Sequence, residues 1–398
     1  MRVSKALALI GAIAGVVILA SCGNSETSAG TSPQPKYAKT LEKQLPAIMK
    51  VNAIPGAVVL IKSQTMGSWS DAFGTAEIGK KVPMSVDDYF RIGSNTKTMT
   101  STIILQLVQE GKLSLDDPIS RFQPQVPNGQ NVTIAELSEM RSGLFSYTLD
   151  KGFNETLDRD PQKLWTPQEL LAIAFSHPPD FPPGTEYEYS NTNIVLLGLV
   201  IQQLTGMSAS EAFAKRIFGP LHLTHTTLTT SSFLPLPHAQ GYQFGTNAAT
   251  ISSYAVPPAQ LSAALNGTLH PINNTNSNPS WAWTAGGAIS TPGDLAVYVK
   301  ALVAGDLLDK KLQKLRLDSV QPTVAGQPGS VRYGLGIVEF APHIYGHDGQ
   351  IPGYSTLMVY DNKQNVALIV GTNLSASPVN GENAAVVLGK AILATLHL

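Results

Sequence analysis

Ser94 and Lys97, three apart in "GSNTK", form the only Ser-x-x-Lys in the 398-residue chain. At i and i+3 of a helix the two side chains share one face and can hydrogen-bond. A serine hydroxyl is a poor nucleophile until a neighbouring base takes its proton. A lysine can be that base if burial and a helix N-terminus, both unfavourable to the cation, lower its pKa. The same N-terminus offers backbone N–H groups that can stabilise an oxyanion. Taken alone, two polar residues on one helical turn account for the pair equally simply.

Two further pairs carry chemistry. Tyr189 and Asn191, in "YEYSNTN", place a phenol that can relay protons beside an amide that can hold a substrate carbonyl. Tyr360 and Asn362 repeat the Tyr-x-Asn pattern, but they lie between two apolar runs, where a β-turn explains them better. His347 and Gly349, in "GHDGQIPGY", form the only His-x-Gly. Glycine beside a strand lets another backbone or a substrate approach closely, whereas a strand histidine on its own also fits a satisfied structural role. His222 and His225 have a possible metal spacing but no third ligand nearby, so no metal is expected. Asp116 and Asp117, before Pro118, read as a turn.

The elements that must position these residues alternate along the chain. Thr40 to Lys50 is amphipathic and helical in pattern, and "GAVVLIKSQ" and "SWSDAFGTAEI" then read as a hairpin. Ser94 opens a helix with Ile103, Ile104, Leu107 and Val108 at helical spacing. From about residue 112 to 285 the pattern is mostly helical pieces and Pro-rich loops. One such helix has Thr166 as N-cap and Pro167 at its first position. "TPGDLAVYVKALVAG" is another helix, followed by the strands "YGLGIVEF", "GYSTLMVYD" and "NVALIVGTN" and a closing helix from about Glu382 to Leu396. The expectation is an α/β (α+β) domain over 39–398. Its antiparallel sheet, flanked by helices, is completed from both chain ends around a mostly helical insertion, with Tyr189 across a cleft from the sheet.

A hydrophobic content of 43% supplies a large core, and a net charge of −1 gives no electrostatic footprint for nucleic acid. At the N-terminus, Arg2 and Lys5 precede the apolar run Ala6 to Ala20, then "LASC" ending in Cys22. A basic head, a short apolar core and small residues describe an export signal over 1–21. Cys22 is the chain's only cysteine, so it can form no internal disulfide. Its setting resembles the bacterial lipobox, in which the cysteine is lipidated. The polar stretch after it reads as a flexible tether over 22–38, spanning roughly 20 Å r.m.s.. The expected partners are a membrane, through Cys22, and a small-molecule or peptide substrate, with no cofactor, no metal and no nucleic acid. The expected location is the bacterial cell envelope, on the outer face of the cytoplasmic membrane or attached to a membrane in the periplasm.

Ser-x-x-Lys, Tyr-x-Asn and His-x-Gly, in this order, resemble the three signature motifs of the penicillin-recognising serine hydrolases. That family includes class C β-lactamases, D-Ala-D-Ala carboxypeptidases, esterases and D-aminopeptidases. "GSNTKTMTSTIILQLVQEGKLSLDDPI", "RSGL", "FPPGTEYEYSNTNIVLLGLVIQQLTG" and "AGGAISTPGDLAVYVKAL" also resemble the family's running text, its Streptomyces-type carboxypeptidase branch above all. The resemblance covers roughly Pro46 to the C-terminus and implies a β-lactamase/DD-peptidase-like fold. It implies Ser94 as acylated nucleophile, Lys97 as proton acceptor, and Tyr189 as the shuttle to the leaving group and later the activator of water. Asn191 would hold the substrate's amide or ester side chain. The backbone N–H groups of Ser94 and Gln350 would form the oxyanion hole. Trp281 and Trp283 fall where the related branch offers an aromatic wall, with core packing as the alternative.

Asp348 departs from the family pattern, whose middle hydroxyl helps bind a substrate carboxylate. Two carboxylates about 4 Å apart repel by roughly 4 kcal/mol at an effective dielectric of about 20. A cleft-facing Asp348 would therefore oppose stem peptides and β-lactams and favour a neutral ester or an amine-bearing substrate. The alternatives are that it faces away, pairs with a cation or caps a turn. Three functions follow: a lipid-anchored serine hydrolase cleaving an ester or amide, a carboxypeptidase or β-lactamase proper, and a catalytically silent lipoprotein.

Overall fold

A computed structural model describes residues 34–327 and 329–398. The expected export signal, Cys22 and most of the expected tether lie outside the described residues. Helix α1 (Ala38–Val51) comes first, then strands β1 (Gly56–Ser63) and β2 (Trp69–Gly74). The tether boundary expected at residue 38 moves back. Tyr37 and Ala38 are buried, and the Tyr37 hydroxyl donates to the Gly67 carbonyl at 2.6 Å, which ties them into the folded body. Helix α2 (Asn95–Gln109) follows Ser94, and helix α3 (Asn191–Thr205) follows Tyr189 by two residues. Helix α4 (Pro292–Ala304) has Thr291 as its capping residue.

The C-terminal third contributes β3 (Gln321–Pro322), β4 (Arg332–Tyr333), β5 (Val338–Ala341), β6 (Ile344–Ile351), β7 (Tyr354–Asp361), β8 (Val366–Thr372) and helix α5 (Ala384–Leu396). These strands and the first hairpin form one antiparallel sheet in the order β2-β1-β8-β7-β6-β5-β4-β3. The first and last strands meet in register from Ala57↔Thr372 to Ser63↔Val366, so both ends of the chain close the sheet, as expected.

The sheet is covered on both faces. Val58, Leu60, Met358 and Ile369 pack towards α2, α3 and α4, while Ala57, Val59, Leu357 and Leu368 pack towards α1 and α5. Coverage of both faces explains why β7 and β8 read as continuous apolar runs rather than alternating ones, since neither face meets water. Between residues 112 and 285 the described regular elements are mainly helices, including Pro167–Phe175 with its Thr166/Glu169 capping box. Leu196 and Val200 of α3 share one buried cluster with Ile103 of α2 and Val299 of α4. Sheet and helical region therefore rest on a single core beneath the cleft between them. Asp361 closes its turn by accepting from the backbone N–H groups of Lys363 and Gln364, which accounts for the second Tyr-x-Asn as a turn.

Candidate active site

Serine before a helix usually caps it by accepting from the backbone of the first turn. Ser94 sits at the N-cap of α2 but has helical φ/ψ (−64°, −9°) and makes no such bond. Its hydroxyl instead meets Lys97 Nζ at 2.9 Å. The first turns of α2 are polar yet fully buried, and their hydroxyls are held by backbone carbonyls: Thr96 donates to Gly93, Thr98 to Asn95 and Thr100 to Thr284. These three buried hydroxyls thus have partners, as burial of a polar group requires, whereas the buried Ser101 hydroxyl has none among the described residues.

Lys97 is wholly buried. Besides Ser94, its Nζ donates to Asn191 Oδ1 at 2.7 Å and to the Ala285 carbonyl at 2.8 Å. Burial pushes its pKa down from 10.5 to about 7, with the Asp348 charge opposing. Two of its three contacts are to oxygens that can only accept. A neutral Lys97 therefore keeps both N–H groups on these and turns its lone pair towards the Ser94 hydroxyl, which is the geometry of a general base.

The Tyr189 ring lies over Lys97, with Nζ 4.7 Å from its centre. Burial raises the phenol's pKa well above 10, an effect that the hydrogen bond with Ser94 opposes without overcoming. Of the two groups beside the serine, Lys97 is consequently the one able to lose its proton near neutrality, and Tyr189 the one that keeps its own. Asn191, at the start of α3, is engaged at both ends of its amide, for its Nδ2 donates to Thr148 Oγ1 at 3.0 Å. Its first role in the structure is to aim Lys97.

Strand β6 forms the opposite wall. It pairs with β5 only through Ile344, Tyr345 and Gly346, leaving the edge from His347 to Ile351 without a strand on that side. His347 is buried and its ring is fully engaged. Nδ1 meets the Asp348 carbonyl at 2.6 Å and must donate, so Nε2 accepts from the Tyr333 hydroxyl at 3.2 Å. Burial, reinforced by the Lys97 charge, lowers its pKa to about 3, so the ring is neutral. Gly349 is approached by another backbone, as its position beside a strand suggested. A Cβ there would stand 1.9 Å from the Ile92 carbonyl oxygen. On the facing segment Gly93 has φ +51°, and a Cβ there would stand 2.7 Å from the Gln350 amide nitrogen. Two glycines therefore let β6 press against the turn carrying Ser94, bringing the Gln350 amide nitrogen beside Gly93, the residue before Ser94. Gly349 itself is absent from the cleft lining.

The cleft has a volume of about 720 Å³, and Ser94, Tyr189, Asn191, His347, Asp348 and Gln350 line it. Trp281 lines it too and packs edge-on against Phe153, whereas Trp283 is buried in the core. Asp348 faces the cleft, with its Oδ2 accepting from Asn383 Nδ2 at 3.1 Å. The structure adds Tyr333, Thr148, Asn383 and the Ala285 carbonyl to the residues named from sequence. Outside the cleft, the His225 backbone N–H donates to Asp294 Oδ2, and no metal-ligating cluster occurs among the described residues.

A family model described as Beta-lactamase matches residues 41–391. "Protein flp" of Staphylococcus aureus (strain COL) is 27% identical over 332 residues, covering 82% of this chain. The chain spans 61% of that relative's length. A D-stereospecific amidohydrolase from a Streptomyces species is 30% identical, with a TM-score of 0.74 over 90% of this chain and 98% of its own. D-amino acid amidase from Ochrobactrum anthropi SV3, solved with L-phenylalanine amide, is 26% identical, with a TM-score of 0.74 over 90% of this chain and 99% of its own.

Proposed function

Because the chain belongs to the Beta-lactamase family, we propose that it is a serine hydrolase cleaving an ester or amide through an acyl intermediate on Ser94. The observation that carries this reading is the Lys97 contact set: two oxygens that only accept, and the Ser94 hydroxyl. As Ser94 Oγ attacks the carbonyl carbon, its proton passes to Lys97 Nζ. The carbonyl oxygen becomes an oxyanion that accepts from the backbone N–H groups of Ser94 and Gln350. Removal of one such donor typically costs about 10²–10³ in rate. Tyr189 gives its proton to the leaving group and regains one from Lys97. When the bond to the leaving group breaks, the acyl group stays on Ser94. A water, deprotonated through the same pair, then releases the acid and restores the Ser94 hydroxyl.

Likeness to amidases, one of them solved with an amino-acid amide, supports amides among the substrates. The reading also places the enzyme outside the cytoplasm, attached to a membrane through a lipidated Cys22. A fluorophosphonate, a fluorescent penicillin and a p-nitrophenyl ester, each tried on wild type and on Ser94→Ala, test the reaction. Labelling and turnover that vanish in Ser94→Ala are expected, and no reaction with any reagent would sink the reading. Efficient penicillin labelling of Ser94 would instead favour a carboxypeptidase. Cys22→Ala should release the protein from membranes, and unchanged retention would rule out the anchor.

A further inference from the structure

Asp348 is the only carboxylate lining the cleft among the described residues, and no lysine or arginine lines it. Lys97 lies behind the wall, fully buried with three partners. A substrate carboxylate entering this cleft would find no free cation and one like charge. About 35% of the Asp348 side chain is exposed, and among the described residues no lysine or arginine comes within 4 Å of it. His347 Nδ1 lies 3.8 Å from Asp348 Oδ1, but that ring is neutral and its proton is on the Asp348 carbonyl.

The Asn383 contact does not explain why an acid stands here. Asn383 Nδ2 also donates to the Gly349 carbonyl at 2.9 Å, and its Oδ1 caps α5 through the backbone N–H groups of Ala385 and Val386. Without Asp348, Asn383 would keep a partner at both ends of its amide, with one N–H left towards the cleft. What the contact does is hold one oxygen of Asp348 and leave the other for a ligand. Along β6, Asp348 is two residues, about 7 Å, from Gln350. An ammonium a few bonds from a carbonyl held at the Gln350 N–H falls within reach. Leu149, Phe153, Trp281 and Tyr254 supply apolar surface in the same cleft.

We propose that Asp348, steadied by Asn383, anchors a protonated amine on the acyl part of the substrate. The cleft then selects amine-bearing amides and esters and disfavours carboxylate-bearing ones. This rests on the acyl-Ser94 reading.

Three anilides that differ in one group test it: phenylalanine p-nitroanilide (both enantiomers), its des-amino form 3-phenylpropanoyl p-nitroanilide, and the mono-p-nitroanilide of benzylmalonic acid. In the wild type, kcat/KM for the better phenylalanine enantiomer should exceed that of the des-amino compound by about 10- to 100-fold, the range of a hydrogen bond to a charged group. The carboxylate compound should be slowest. In Asp348→Asn the amine preference should fall to within about 3-fold. The ratio is read within each variant, so any general loss of folded protein cancels. A preference that survives in Asp348→Asn, or a wild type favouring the carboxylate, overturns the anchor. Failure to turn over the amine substrate while Ser94 still reacts with fluorophosphonate overturns it as well. Absence of Ser94 labelling is a separate result, removing the acyl-serine reading and the anchor with it.

Discussion

The two walls of the cleft differ in how the groups nearest Ser94 are partnered. On the helical side, Lys97 uses all three of its positions, Asn191 both ends of its amide, and the buried hydroxyls of Thr96, Thr98 and Thr100 each have a partner. On the β6 edge, among the described residues, Asp348 has no lysine or arginine of its own and the buried Gln350 Nε2 has no partner. A saturated network holds its members in one arrangement and makes removal of any one expensive. Unused groups facing a cleft are what a ligand can complete. On the acyl-Ser94 reading, the contrast assigns proton transfer to the helical wall and gives the strand the choice of substrate besides its one oxyanion donor.

The sharpest way to break that contrast is at Lys97. Lys97→Ala should lower kcat/KM for every acyl substrate by at least about 10³-fold, within the range of lost general-base and nucleophile activation. On the acyl-Ser94 reading the working form is neutral Lys97, so the acylation rate should rise with pH along a single ionisation near 7 and level above it. A profile that falls as pH rises from 6 to 8 would refute the assignment of the base. Next comes Gly349→Ala, whose Cβ would be forced against the Ile92 carbonyl. Parting β6 from the Ser94 turn should destabilise the fold by about 3 kcal/mol, read as a lowered Tm, since neither neighbour can yield cheaply. The smallest effect is expected at Tyr333→Phe, which strips His347 Nε2 of its donor. An unpaired buried acceptor costs about 1–3 kcal/mol. Rates on amine-bearing and neutral substrates should fall together, leaving their ratio intact. A changed ratio would mean that the two walls are not separate.

Much of this was legible in the chain. The hairpin, the helix after Ser94, the sheet closed from both ends and the three motif pairs follow from patterning and order. The buried first half of α2 was harder to read, because a helix enclosed on all sides shows no apolar stripe. Tyr333 went unseen as a site residue because it belongs to a two-residue strand fourteen positions before His347, and only the pairing of β4 with β5 carries it there. The Ala285 carbonyl has no signal in residue types at all, being backbone. Asn383 could be read as a helix cap, but its reach to Asp348 depends on α5 packing over β7 and β8, which sets its first residues beside β6. Asp348 itself stood out in the sequence, and its direction was the missing fact.

The uncapped Ser94 has a consequence for the life of the acylated protein. A serine that held its helix end would give up that bond whenever an acyl group replaced its proton, weakening the helix by about 1 kcal/mol. The Ser94 side chain accepts no backbone N–H of α2, so esterification costs no helix cap and alters only the hydroxyl's contact with Lys97 and Tyr189. On the acyl-Ser94 reading, the intermediate should lose no helix-cap stability relative to the free enzyme, and how long it persists is then set by the acyl group and the approach of water rather than by strain in the chain that carries it.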